Sequence, residues 1–173
     1  MVVVLALASC APQPEPAPSQ PAAAPSIPVT ATPEPSTATS IEPAGCDKVL
    51  DDTGNADLAA DNLDAVDFEV QTWDYPLLSD FVADGVVCKW AGGGDVHVVV
   101  GQLPMDETTW EATRAALEAA GYQRDDSYGV DEFIDGPDSE DESYPTRGFA
   151  WRDGMLFYAS YPGILEFAPA FQS

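Results

Sequence analysis

The chain has 173 residues, of which 30 are acidic and only 6 are lysine or arginine, so its formal net charge is −24 at pH 7. Such a surface repels phosphate backbones and anionic lipid headgroups, which disfavours nucleic-acid binding and a polybasic membrane contact. The length from Gly45 onward is enough for one domain with a sizeable core, and we expect a monomer.

A short cysteine motif follows an apolar run at the start of the chain. The run ends in Leu7-Ala8-Ser9-Cys10, which resembles the lipobox of bacterial lipoproteins. The resemblance implies that residues 1–9 are the remnant of a signal peptide and that Cys10 carries acyl chains such as palmitate. A signal h-region usually has roughly 7–15 residues and follows basic ones, so we expect Met1 to be an internal start. The alternative is an apolar tail with an ordinary cysteine.

Residues 10–44 are predicted to be a lipidated cysteine followed by a disordered linker. Ten of the sixteen prolines fall between residues 11 and 44, and proline at this density prevents helices and sheet ladders. This layout is similar to that of small lipoproteins of high-GC Gram-positive bacteria. It implies an extracytoplasmic location on the outer face of the cell membrane, with residues 45–173 as the folded domain.

The other two cysteines, Cys46 and Cys88, are predicted to form a disulfide. An even pair in an oxidising compartment is most simply bonded. Two free thiols are the alternative, because no histidine pair or second cysteine pair is present to complete a zinc site.

The hydrophobic pattern predicts an α+β domain, in which helices pack on one face of an antiparallel sheet. A Thr108-to-Glu111 capping box should open the most regular helix, which ends at Gly121. The acidic segment 125–144 should be a long loop, and Asp153-Gly154 should form a type I′ turn. The predicted helices are 46–51, 56–65 and 76–84; the predicted hairpins are 86–90 with 95–103 and 149–151 with 155–161, and 164–167 can form an edge strand.

The motifs of familiar catalytic sites are missing from the sequence. His97 is the only histidine, and a single histidine in a strand is more often structural than catalytic. Asp131, Asp135 and Glu142 match positions 1, 5 and 12 of an EF-hand calcium loop. Phe133 occupies a position that needs a ligand, so a solvated acidic loop is preferred to a calcium site, and no cofactor is expected.

The aromatic residues are numerous enough to line a pocket or a sugar-stacking face. Tyr128 and Tyr144 are the better candidates for a ligand, because they lie in an otherwise polar segment. The set considered is Trp73, Tyr75, Trp90, Tyr128, Tyr144, Tyr158 and Tyr161.

Two functional hypotheses follow from these observations. The first is a non-enzymatic, membrane-anchored binding module whose ligand is an envelope protein or a glycan. The second is a small extracytoplasmic hydrolase that uses acidic residues of the 125–142 loop, since carboxylate pairs carry out glycoside hydrolysis. The sequence alone does not identify the ligand of either.

Overall fold

A computed structural model describes residues 41–94, 96–126, 129–137 and 147–172. Within these ranges the chain forms helices and strands that alternate irregularly, followed by two 3-10 helices. The helices are α1 (Asp52–Ala60), α2 (Leu78–Asp84) and α3 (Glu107–Ala119); the strands are β1 (Asp64–Val66), β2 (Val86–Ala91), β3 (His97–Pro104), β4 (Gln123–Arg124), β5 (Ile134–Asp135), β6 (Gly148–Arg152) and β7 (Met155–Ala159); the 3-10 helices are Pro162–Phe167 and Pro169–Phe171.

The strands form one open antiparallel sheet in the order β1-β2-β3-β7-β6-β5-β4. This order contains two meanders, β1 to β3 and β4 to β7, which meet where β3 pairs with β7. The predicted α+β class and both predicted hairpins are confirmed. The turn at Asp153-Gly154 has φ angles of 50° and 86°, and two positive values are what a type I′ turn requires.

Hydrophobic side chains cover both faces of the sheet. Helices α2 and α3 pack on one face, where Phe81 and Trp110 contact the aromatic side of β6 and β7. The opposite face buries Cys88, Val98 and Val100 beneath α1 and the C-terminal 3-10 helices. The helices are therefore divided between the two faces, with α1 opposite α2 and α3.

The first part of the domain differs from the predicted helices. Residues 46–51 form turns, and α1 begins only at Asp52 because the Asp51 carboxylate accepts a hydrogen bond from the Gly54 N–H at 2.8 Å. The helix predicted at 56–65 ends at Ala60, and the chain then enters β1. Helix α3 is similarly capped by Asp106, whose carboxylate accepts from the Thr109 N–H at 3.0 Å, rather than by Thr108.

Two later predictions are also corrected. Residues 164–167 belong to a 3-10 helix and not to an edge strand, because Ile164 and Leu165 are both buried and neighbouring residues of a strand would point to opposite faces. The acidic segment is more than a solvated loop. Phe133 and Ile134 are buried, and β5 pairs with both β4 and β6.

The predicted disulfide is confirmed. The sulfur atoms of Cys46 and Cys88 lie 2.04 Å apart, and their Cα atoms are 5.3 Å apart. The bond joins β2 to the turn before α1, and not to a first helix as the sequence suggested. Next to it, the Gln102 side-chain amide exchanges hydrogen bonds with the backbone of Ala44, at 3.1 and 2.9 Å. The start of the domain is therefore fixed to the two central strands β2 and β3.

Replacing both cysteines with alanine should lower the free energy of unfolding by about 2–4 kcal/mol, because the bond closes a loop of 42 residues in the unfolded chain. Denaturant titration with and without dithiothreitol measures the effect. Reductant should lower the midpoint of the native chain and leave that of the double variant unchanged. Equal midpoints for the oxidised and reduced native chain would contradict a stabilising bond.

Candidate functional site

A surface cavity of about 420 Å³ opens beside the end of α1, the start of β3 and the segment that follows β7. We call it the α1 groove. Its size falls within the range of roughly 300–1,000 Å³ that is typical of small-molecule sites. The residues that decide its chemistry are Asp57, Leu58, Asp61, Leu63, His97 and Tyr161.

Helix α1 and the residue that caps its end supply two carboxylates to this groove. Asp57 and Asp61 are four residues apart, so they lie one above the other on the same side of the helix. The helix can lie close to the C-terminal segment because residue 54 is glycine. A Cβ atom there would be 2.6 Å from the Cβ of Phe167, which is too short for any real contact. The glycine thus brings both carboxylates to the wall of the groove.

The apolar part of the groove is an extension of the hydrophobic core. Leu58, Leu63 and Ile164 line the groove and are buried, with exposed fractions of 5%, 7% and 1%. Phe167 is half-buried and packs against the same core cluster. A ligand would therefore contact a hydrocarbon surface beneath a polar rim.

Tyr161 lies between the apolar part of the groove and its acidic rim. Burial raises the pKa of its hydroxyl, and the negative charges of Glu166, Asp61 and Asp57 raise it further. The phenol is therefore protonated at neutral pH and can donate a hydrogen bond. The same three charges make the potential in this part of the groove negative.

The single histidine borders the same groove. His97 is exposed at the first position of β3, opposite Ala91 of β2. The sequence indicated no catalytic role for it, and the structure places it on the lining of the α1 groove beside Val96, whose side chain is 60% exposed.

The structure separates the two predicted calcium ligands that it describes. Asp131 is exposed in a turn, whereas Asp135 is buried in β5, so the two described members of the predicted calcium loop do not share an environment. The described residues contain no group of three side chains that could hold a metal ion. Three further predicted residues, Tyr128, Glu142 and Tyr144, lie outside the described residues, as does Cys10.

The aromatic candidates also divide into classes. Tyr75, Trp90 and Tyr158 are core residues, with exposed fractions of 6%, 5% and 3%. Trp73 is 69% exposed. Tyr161 lines the α1 groove. The sequence placed Tyr161 among the aromatic candidates but gave no reason to prefer it. The four-residue spacing of Asp57 and Asp61 was the signal that could have indicated the groove.

A second unusual carboxylate lies in β5. Asp135 is only 5% exposed, and its Oδ1 atom has no hydrogen-bond partner among the residues that the structure describes. Burial raises the pKa of Asp135 to about 6, with a further contribution from the charge of Asp125. A carboxyl group that holds its proton near neutral pH can act as a general acid.

No family model matches the chain, and neither the curated proteins nor the solved structures contain a match. Among the described residues, no helix has both the length and the apolar character needed to cross a membrane.

The raised pKa of Asp135 predicts how its variant responds to pH. The folded chain holds this proton up to about pH 6, whereas the ordinary pKa of an aspartate carboxyl is 3.8. The stabilisation that this proton gives the folded chain is therefore complete below pH 3.8 and is lost as the pH rises through about 6. Asparagine does not titrate, so between acidic and neutral pH the free energy of unfolding of Asp135→Asn should rise by about 1–2 kcal/mol relative to that of the native chain. This range allows for solvent screening.

Denaturant titrations from about pH 4 to pH 7 measure this difference. Asp131→Asn is the matched control, because it removes an exposed carboxylate from the same segment. Identical pH profiles for the two variants would contradict the assignment of the proton to Asp135.

Proposed function

We propose that this protein is a lipid-anchored, extracytoplasmic binding module that captures its ligand in the α1 groove. The observation that carries the binding role is the groove itself, which combines an apolar surface, two carboxylates at the end of α1 and a protonated tyrosine. Small-molecule sites typically combine a mainly hydrophobic lining with a few placed polar groups.

The proposed location rests on the sequence and on the disulfide. The motif Leu7-Ala8-Ser9-Cys10 resembles a lipobox, and a lipidated Cys10 would anchor the chain to the outer face of the cell membrane. A single acyl chain binds a membrane only marginally, whereas two or more hold it durably. The Cys46–Cys88 bond supports export, because structural disulfides persist mainly in oxidising compartments.

A hydrolase is the second candidate, and one observation favours it. Burial and the neighbouring charge of Asp125 raise the pKa of Asp135, and a carboxyl group with a raised pKa is typical of acid catalysis. However, Asp135 is 5% exposed, so a substrate would reach it only after a local opening of the sheet edge. The α1 groove is already open, and binding there is the better supported role.

Anchoring predicts that Cys10→Ser abolishes lipid attachment. Cells that express the chain from its native locus would be fed an alkyne analogue of palmitate, and the label on the purified protein would be measured. Ser9→Ala is the matched control, because it keeps a small residue before the cysteine. Labelling of Cys10→Ser at the native level would contradict the proposed anchor.

Ligand capture predicts that a bulky side chain in the α1 groove abolishes binding. Ala60 is an exposed residue of α1 that lines the groove, so Ala60→Trp should fill the groove without disturbing the core. Ala59→Trp is the control, since its position is also exposed on α1 but does not line the groove. The full chain and both variants would be incubated with native envelope extracts, and the bound molecules identified by mass spectrometry.

The native chain and Ala59→Trp should retain the same ligand, which Ala60→Trp should lose. Equal retention by all three proteins would place binding elsewhere and refute the role of the groove.

A further inference from the structure

Two carboxylates line the α1 groove together with Tyr161, and a third lies on the neighbouring 3-10 helix. Asp57 belongs to α1, Asp61 caps the end of that helix, and Glu166 belongs to the 3-10 helix after β7. All three are exposed. Their charges all raise the pKa of the Tyr161 hydroxyl.

No lysine or arginine of the described residues pairs with these carboxylates. None of the ion pairs formed within the described ranges involves Asp57, Asp61 or Glu166. No described lysine or arginine lines the groove, and Lys89 borders a separate, smaller cavity of about 250 Å³. The groove therefore combines uncompensated negative charge with an apolar surface.

We propose that the α1 groove binds a small organic cation, namely a protonated amine attached to an apolar body. This inference rests on the proposed binding function and adds the chemical class of the ligand. The ammonium group would lie between Asp57, Asp61 and the face of Tyr161, because both carboxylates and aromatic rings attract such a cation. The apolar body would cover Leu58, Leu63 and Phe167, whose burial favours binding by the hydrophobic effect.

Other ligand classes fit this arrangement less well. An anion would be repelled by the three carboxylates and by the excess of acidic residues. A hard metal ion needs about six or more converging oxygen ligands, and an apolar surface offers it none. A neutral apolar molecule would fit the lining but leave the carboxylates without a partner. An amine with a hydrocarbon body satisfies both parts of the groove.

The test compares two probes of equal size that differ in charge. Phenethylamine is protonated at pH 7, and 2-phenylethanol replaces its ammonium group with a hydroxyl. Each would be titrated into the full-length protein by isothermal calorimetry. Phenethylamine should bind about tenfold more tightly or better, since two partly exposed charge contacts and one ring contact distinguish the probes.

Paired variants separate the groove from the general charge of the protein. Asp57→Asn/Asp61→Asn should weaken phenethylamine binding by about fivefold to thirtyfold. Asp80→Asn/Asp84→Asn makes the same change of charge at the same spacing on the exposed side of α2, and it should leave the affinity unchanged within about twofold. Asp57→Glu/Asp61→Glu keeps the charge and should retain binding, which excludes misfolding as the cause of a loss.

Three results would overturn the inference: no binding of phenethylamine, equal affinity for the alcohol, or equal losses in the two asparagine pairs. The proposed binding function would survive any of them if Ala60→Trp still lost the ligand captured from envelopes. If that variant retained the captured ligand, the binding function of the groove would fail as well.

Discussion

The pairing of β3 with β7 is the interaction on which the rest of the structure depends. It is the only contact in the strand order that joins the first meander to the second. The ladder continues past β7, because Ser160 donates its N–H to the Val99 carbonyl at 3.0 Å and its hydroxyl accepts from the Val99 N–H at 2.9 Å. Tyr161 follows directly and is therefore held near the start of β3. The same pairing that joins the two meanders thus brings His97 and Tyr161 to one cavity.

The position of β3 explains why the groove is attached to a rigid support. Six consecutive residues of this strand are buried, with Val98 and Val100 on the face under α1 and Val99 and Leu103 on the face under α2 and α3. At Gly101 the strand passes so close to Phe81 that a Cβ atom would lie 2.7 Å from that ring. Because β3 is packed on both faces, the side chains at its start keep their positions without a ligand. Less free energy is therefore lost in ordering them when a ligand binds.

The charge of the protein does little to hold this fold together. Within the described ranges, the ion pairs all involve Arg114, Arg124 or Arg147, and most of their side chains are exposed. Exposed pairs contribute only about 0–1 kcal/mol. The stability therefore comes mainly from the two hydrophobic layers and the disulfide, which leaves the surface acids of α1 available for a ligand.

The sequence predicted the parts of this fold that depend on local patterns. The two hairpins followed from alternating apolar residues and from Asp153-Gly154, and the disulfide followed from the number of cysteines. The short strands β1, β4 and β5 were missed, because strands of two or three residues have no measurable alternation and form only where a neighbour supplies hydrogen bonds. At Gly148 this contact is very close, since a Cβ atom there would lie 2.0 Å from the Ile134 carbonyl oxygen.

The candidate site was missed for a related reason. Asp57 and Tyr161 are about a hundred positions apart in the sequence, and their segments meet because α1 packs against the 3-10 helix after β7, where the Asp51 N–H donates to the Phe167 carbonyl at 2.8 Å. The strongest local signal, the acidic segment after residue 125, drew attention to calcium ligands instead. Phe133 in this segment is buried. A run of acidic residues can therefore contain core positions, because the residues between the acids determine the fold.

The two ends of β3 also separate the point where the chain enters the domain from the α1 groove. The chain enters the domain at the far end of this strand, where Gln102 binds the backbone of Ala44 and where a Cβ atom on Gly154 would lie 2.9 Å from Ile41. The groove lies at the other end, beside His97. Seven residue steps of a β-strand separate the two ends by about 24 Å. Ile41 and Ala44, which lead into the domain, are therefore remote from the groove, and a ligand could reach Asp57 and Tyr161 without displacing them.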